Sequence, residues 1–113
     1  KYFDQKIRED VSLWKQRYNV DFDDSGLEID TIEGYLGSGY GVAGQAVFEL
    51  IAELARNEGI FLDPVYTGKA FHGMVSELAK GHAGQLSGAK QVVFIHTGGL
   101  FGVFPQQEGF RFD

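Results

Sequence analysis

A chain of 113 residues with 43% hydrophobic and 14% aromatic residues has the composition of one small globular domain and not of a disordered segment. Its 10 basic against 16 acidic residues give a net charge of -6, which sets it against a phosphate backbone and excludes nucleic acid as an expected partner. It holds no cysteine, so disulfides, thiolate nucleophiles and cysteine metal sites are excluded together, and no apolar run approaches the roughly 20 residues that span a bilayer.

The chain opens on Lys1-Tyr2-Phe3-Asp4, without Met and without a signal-peptide core, and reads as a start inside a longer chain. Ile7, Val11, Trp14 and Tyr18 then recur at helical spacing, which predicts a helix over 4–18 with Asp4 as its cap. A turn-rich acidic stretch, 19–26, leads into Leu27 to Ile32, whose period-two alternation predicts a strand. Five glycines at 34, 37, 39, 41 and 44 follow. That density suits a backbone that adopts positive φ or approaches a ligand closely, and makes this loop a first candidate site.

Ala43, Ala46, Val47, Leu50, Ile51, Leu54 and Ala55 predict a second helix, closed by Gly59. Ala70, Phe71, Met74, Val75, Leu78 and Ala79 predict a third, with Thr67 near its start and Gly81 at its end. Val92-Val93-Phe94-Ile95 is a continuous apolar run of strand length, expected to be buried on both faces, with His96 buried at its end. It runs into His96-Thr97-Gly98-Gly99, a turn able to present backbone N–H groups and a second candidate site. Helices alternating with short strands predict an α/β architecture, a partial three-layer sandwich with a mainly parallel sheet. His72, His82 and His96 share no metal-ligand spacing, and Asp21, Asp23 and Asp24 lack the rest of a calcium loop, so no metal site is expected.

Three segments carry a resemblance to a known family: Leu62-Asp63-Pro64-Val65-Tyr66-Thr67-Gly68-Lys69, Phe94-Ile95-His96-Thr97-Gly98-Gly99, and Gly39-Tyr40-Gly41, which places Tyr40 26 residues before Tyr66. Together they resemble the D-cysteine desulfhydrases and 1-aminocyclopropane-1-carboxylate deaminases. These are fold type II, tryptophan-synthase-β-like enzymes dependent on pyridoxal 5'-phosphate. The resemblance runs from about Ile29 to Phe104. It implies that residues 1–113 are a single fragment, the C-terminal part of the large cofactor-binding domain.

The resemblance also implies roles. Tyr40 and Tyr66 would be the catalytic pair over the substrate, Thr97 would meet the cofactor's ring nitrogen, and Thr67, Gly98 and Gly99 would complete the cofactor contacts. The reaction implied is α,β-elimination, turning D-cysteine into pyruvate, ammonia and hydrogen sulfide. The related deaminases carry glutamate at the position of Thr67 and leucine at that of Thr97, so two threonines resemble the desulfhydrases more. The family's Schiff-base lysine lies in an asparagine-histidine setting that Lys1, Lys6, Lys15, Lys69, Lys80 and Lys90 do not share. The chain alone is therefore expected to be inactive.

Expected partners are a small amino-acid substrate, the missing N-terminal portion and further copies of the chain, in the cytoplasm or an organelle. Two other readings stand beside the desulfhydrase fragment: a fragment of an aminocyclopropane-carboxylate deaminase, and a binding or assembly module without chemistry.

Overall fold

Helices form where the apolar spacing predicts them. The structure is a computed structural model that describes residues 2–111, with α1 over Tyr2–Tyr18, α2 over Gln45–Glu58 and α3 over Thr67–Ala79. Short 3-10 segments follow at Gly81–Ala83 and Leu100–Gly109. The chain divides into two units, Lys1–Thr31 and Ile32–Asp113.

In the first unit α1 begins at Tyr2, so Asp4 lies inside the first turn instead of capping it and pairs with Arg8 at 3.1 Å. Lys6 and Asp10 repeat that i,i+4 pairing at 2.7 Å. After the helix the chain folds back: Trp14 meets the Phe22 ring edge-on, and Lys15 Nζ reaches Asp24 Oδ1 at 2.6 Å. Exposed pairs of this kind add little to stability, and no residue of α1 is buried.

The second unit holds the core. Val47, Ile51 and Leu62 are buried, with Ala43, Leu54, Phe71, Phe94 and Phe110 packed against them. Gly59 closes α2 at φ 68, its N–H donating to Ala55 O. Between α2 and α3 the approach is so close that a Cβ at Gly68 would stand 2.6 Å from both Asp63 O and Ile51 Cδ1. The face that α3 buries is Thr67, Gly68, Lys69, Gly73 and Glu77, whereas Val75 and Leu78 of the apolar stripe stay exposed. Its small and charged residues face inward because the glycine loop, described below, lies along them.

The expected α/β sandwich with a mainly parallel sheet does not form. Among the described residues there is no sheet, and the one bridge is an isolated antiparallel contact between Gly39 and Val42. Residues 27–32 and 92–95 are both irregular. Period-two patterning assigns faces to a strand but cannot supply the neighbour whose N–H and C=O groups it needs, and neither segment finds one here. Val93 at 85% and Ile95 at 76% exposure show that the second run is not buried on both faces. Alternation survives only in direction: Phe94, between them, turns inward onto Phe71 with ring centroids 5.1 Å apart. His96, expected to be buried at the end of this run, is exposed, because the run has nothing packed over its outer side.

Candidate active site

Asp63 organises the turn that starts α3. It is only 1% exposed. Its Oδ1 accepts the N–H groups of Val65 and Tyr66, both at 2.8 Å. Its Oδ2 accepts the Thr67 N–H at 2.9 Å and the Thr67 hydroxyl at 2.5 Å. The hydroxyl in turn accepts the Asp63 N–H at 2.9 Å. Burial opposes ionisation of this carboxyl, but the Thr67 hydroxyl and the three N–H groups outweigh it and hold it below the usual carboxylate range. An aspartate before proline satisfies the free N–H groups of the first turn in this way, and so fixes the direction in which Tyr66 leaves the backbone.

The glycine loop runs back along α3 from its C-terminal to its N-terminal end. At the far end, Tyr35 Oη donates to Glu77 Oε1 at 2.5 Å, and the Tyr35 ring covers Gly73, where a Cβ would come within 3.1 Å of it. Glu77 is 2% exposed and also accepts Lys80 Nζ at 2.6 Å and the Gln85 N–H at 2.7 Å. The Lys80 bond first, then those from Tyr35 and Gln85, pull its carboxyl down to about 2. Glu77 in return raises Lys80. In the first turn of α3, Lys69 Nζ donates to Leu36 O at 2.6 Å and Gly39 O at 3.0 Å. At the near end Tyr40 meets Tyr66, hydroxyl to hydroxyl at 2.6 Å, with the rings edge-on at 5.9 Å. Both tyrosines remain exposed, Tyr40 at 83%. The bond to Tyr40 raises the Tyr66 hydroxyl above the usual tyrosine range.

The third segment comes to the same place from the other side. His96 Nδ1 accepts the Gly98 N–H at 3.0 Å, which leaves Nε2 to donate to Phe61 O at 2.8 Å. Gly98 and Gly99 take φ 97 and 90, and a Cβ at Gly99 would stand 2.7 Å from Asp63 Oδ2. The turn after Phe94 is thus laid on the turn before α3. Of the residues singled out in the sequence, Tyr40 and Tyr66 touch each other. Gly99 lies on Asp63, Thr97 is exposed in the adjoining turn, and Thr67 is buried with its hydroxyl and N–H both committed to Asp63.

The family described as "Pyridoxal-phosphate dependent enzyme" matches residues 6–98. The chain belongs to this family. Among curated proteins, one from Thermotoga maritima is 37% identical over 105 residues, covering 93% of this chain and 30% of its own length. One from Pyrococcus abyssi is 48% identical over 69 residues, covering 58% and 19%. Both bear the name "Putative 1-aminocyclopropane-1-carboxylate deaminase". A mitochondrial protein of Arabidopsis thaliana named as a bifunctional D-cysteine desulfhydrase and 1-aminocyclopropane-1-carboxylate deaminase is 35% identical over 77 residues, covering 68% and 19%. No solved structure matches. The chain spans less than a third of the length of these relatives.

Pyridoxal phosphate, the family's cofactor, needs a partner for its ring nitrogen, room against its ring, an anion site and a lysine. For the first two, the exposed Thr97 offers a hydroxyl, and Gly98 and Gly99 a backbone without side chains. The anion site is not at α3, where Asp63 fills the N-terminus with a carboxylate and takes up the N–H groups of Val65, Tyr66 and Thr67. Lys69 is 7% exposed with its ammonium on two carbonyls, and Lys6, Lys15 and Lys80 are in ion pairs.

Sequence reasoning passed over Asp63, Tyr35 and Glu77, and the two loop carbonyls that Lys69 reaches. An Asp-Pro step with a threonine four residues after the aspartate was a readable capping signal for Asp63. Gly73 midway between Lys69 and Glu77, on one helix face, marked the track along which the loop lies.

Proposed function

We propose that this chain forms the substrate-facing part of a pyridoxal-phosphate-dependent lyase that acts on D-cysteine and, with one water consumed, releases pyruvate, ammonia and hydrogen sulfide. The contact between the Tyr40 and Tyr66 hydroxyls carries the reading. Two exposed phenols 2.6 Å apart share one proton along their bond and leave the second O–H free. Either hydroxyl can be the donor within the pair, and the partner's own proton is then offered outward. In the elimination a proton leaves Cα and the Cβ–S bond breaks, and an O–H aimed at the sulfur stabilises the charge that builds there.

Bound pyridoxal phosphate supplies the electron sink that makes the α-proton removable. Thr97 would meet its ring nitrogen with a neutral hydroxyl, which would support the ring without holding the nitrogen protonated as a carboxylate does. Gly98 and Gly99 leave the ring room, and Thr67 serves the site by fixing the Asp63 turn under Tyr66. The chain lies in the C-terminal part of its cofactor domain and associates with further copies.

Thr67 and Thr97 favour sulfide elimination. Ring opening of 1-aminocyclopropane-1-carboxylate is the second reading, favoured by the names of the Thermotoga and Pyrococcus relatives. The test is a full-length protein carrying this chain, loaded with cofactor and offered each substrate. Sulfide from D-cysteine is the expected result, and ring opening without sulfide would transfer the assignment to the second reading.

A further inference from the structure

We infer that Lys69 is a positioning residue that clamps the glycine loop onto α3 and thereby holds Tyr40 against Tyr66; the inference rests on the reading of those tyrosines as substrate-facing. Three observations carry it. Lys69 is 7% exposed although it is a lysine in the first turn of a helix, and burial of an ammonium is costly unless its protons are taken up. Two of the three are taken up by Leu36 O at 2.6 Å and Gly39 O at 3.0 Å, both in the loop and 33 and 30 residues away. Gly39 opens the tight turn that presents Tyr40: its carbonyl also accepts the Val42 N–H, with Gly41 inside the turn at φ 73. The clamp thus grips the residue next to Tyr40, while its own helix begins just after Tyr66.

Among the described residues, the near half of the loop has no other hydrogen bond to α3 or its entry besides the Tyr40–Tyr66 contact itself. The Tyr35 bond to Glu77 holds the far end, two helical turns along α3. Leu36 at 80% and Tyr40 at 83% exposure bury little surface that could anchor the near end. A Cβ at Gly37 would come within 3.2 Å of Val42 O and 3.8 Å of Lys69 Nζ, so the loop closes around the lysine side chain. Without the ammonium, two carbonyls would lose charge-assisted bonds and the loop its fixed distance from Tyr66.

The test reads the Tyr66 titration by carbon-13 NMR of tyrosine-labelled chain, assigned with Tyr66→Phe, and takes Tyr40→Phe as the value for an uncoupled Tyr66. Lys69→Met is expected to lower the Tyr66 titration to the Tyr40→Phe value, with Lys69→Arg restoring it. The sign is diagnostic. Loss of a positive charge alone would raise a phenol's titration, and Asp63, the other charge that raises Tyr66, is present in all the variants. Should Lys69→Met lose its helical circular dichroism, Gly37→Ala disturbs the same clamp from the loop side and carries the test to the same expected value. A Tyr66 titration unchanged from wild type in a folded Lys69→Met or in Gly37→Ala overturns the inference. In the full-length enzyme, Lys69→Met is expected to lower kcat about tenfold to a hundredfold, the cost of a misplaced reacting group, with KM changed less. A wild-type enzyme without lyase activity, beside the expected NMR shift, would refute the functional reading and leave the clamp standing.

Discussion

Replacing Asp63 with alanine tests how the site is built, because four hydrogen bonds converge on that carboxylate. The Val65 and Tyr66 N–H groups are part-buried and can recover water, so their loss is that of an ordinary helix cap, about 1 kcal/mol. The Thr67 N–H and hydroxyl are buried. Stranding them costs about 1–3 kcal/mol, softened because the hydroxyl still accepts the N–H of residue 63. The sum is about 3 kcal/mol against a total of roughly 5–15 kcal/mol for a domain.

Urea unfolding followed by circular dichroism reads it, and a slope near 1–2 kcal/mol per M converts the loss into a midpoint lower by roughly 2 M. Asp63→Asn keeps an acceptor for Val65 and Tyr66 and should fall between wild type and alanine. Asp63 is held below the usual carboxylate range, so the wild-type advantage is full above the ordinary aspartate value and shrinks as pH falls through the lowered one. An Asp63→Ala protein within about 0.5 kcal/mol of wild type, the size of a bland surface change, would refute the claim that Asp63 holds the turn.

Glu77, drawn down to about 2 from an ordinary 4.5, should contribute stability fully above pH 4.5 and lose it as pH falls toward 2; Glu77→Gln should flatten that acid limb, and an unchanged limb would assign it elsewhere. The chain incubated with pyridoxal phosphate should show no visible absorption band of a bound imine, since Lys69 is spent on Leu36 and Gly39; a borohydride-stable adduct at Lys69 would contradict this. Val93, Ile95 and Phe101 are each more than three-quarters exposed. Burying apolar surface is worth about 25 cal/mol per Å², so sedimentation at micromolar concentration should find dimers or larger species, whereas a monomer with a cooperative melt would show that the chain closes its own core.

The helices were legible because their signals are local: α2 declares itself through Ala43, Val47, Leu50, Ile51 and Leu54, and stops where Gly59 allows a left-handed cap. The Tyr40 and Tyr66 pairing was legible only through the resemblance, since no local pattern links residues 26 apart. The strands failed for the converse reason. Alternation at 27–32 and the apolar run at 92–95 state which way side chains would point in a sheet, but a sheet is a property of two segments, and none pairs with either here. For α3 the period was legible but not the buried face, because the helix buries Lys69, Gly73 and Glu77 under partners 30 to 42 residues away, which hydrophobicity along the helix does not encode.

The central claim is that the tyrosine pair acts on the substrate, and the most direct measurement is steady-state sulfide release from D-cysteine by the cofactor-loaded full-length enzyme and its Tyr40→Phe and Tyr66→Phe forms. Loss of a positioned proton donor should lower kcat about a hundredfold or more, with KM and the cofactor's absorbance nearly unchanged, as for an interaction made in the transition state. A kcat within about twofold of wild type in both variants would contradict the account, because it would leave the 2.6 Å contact as packing alone.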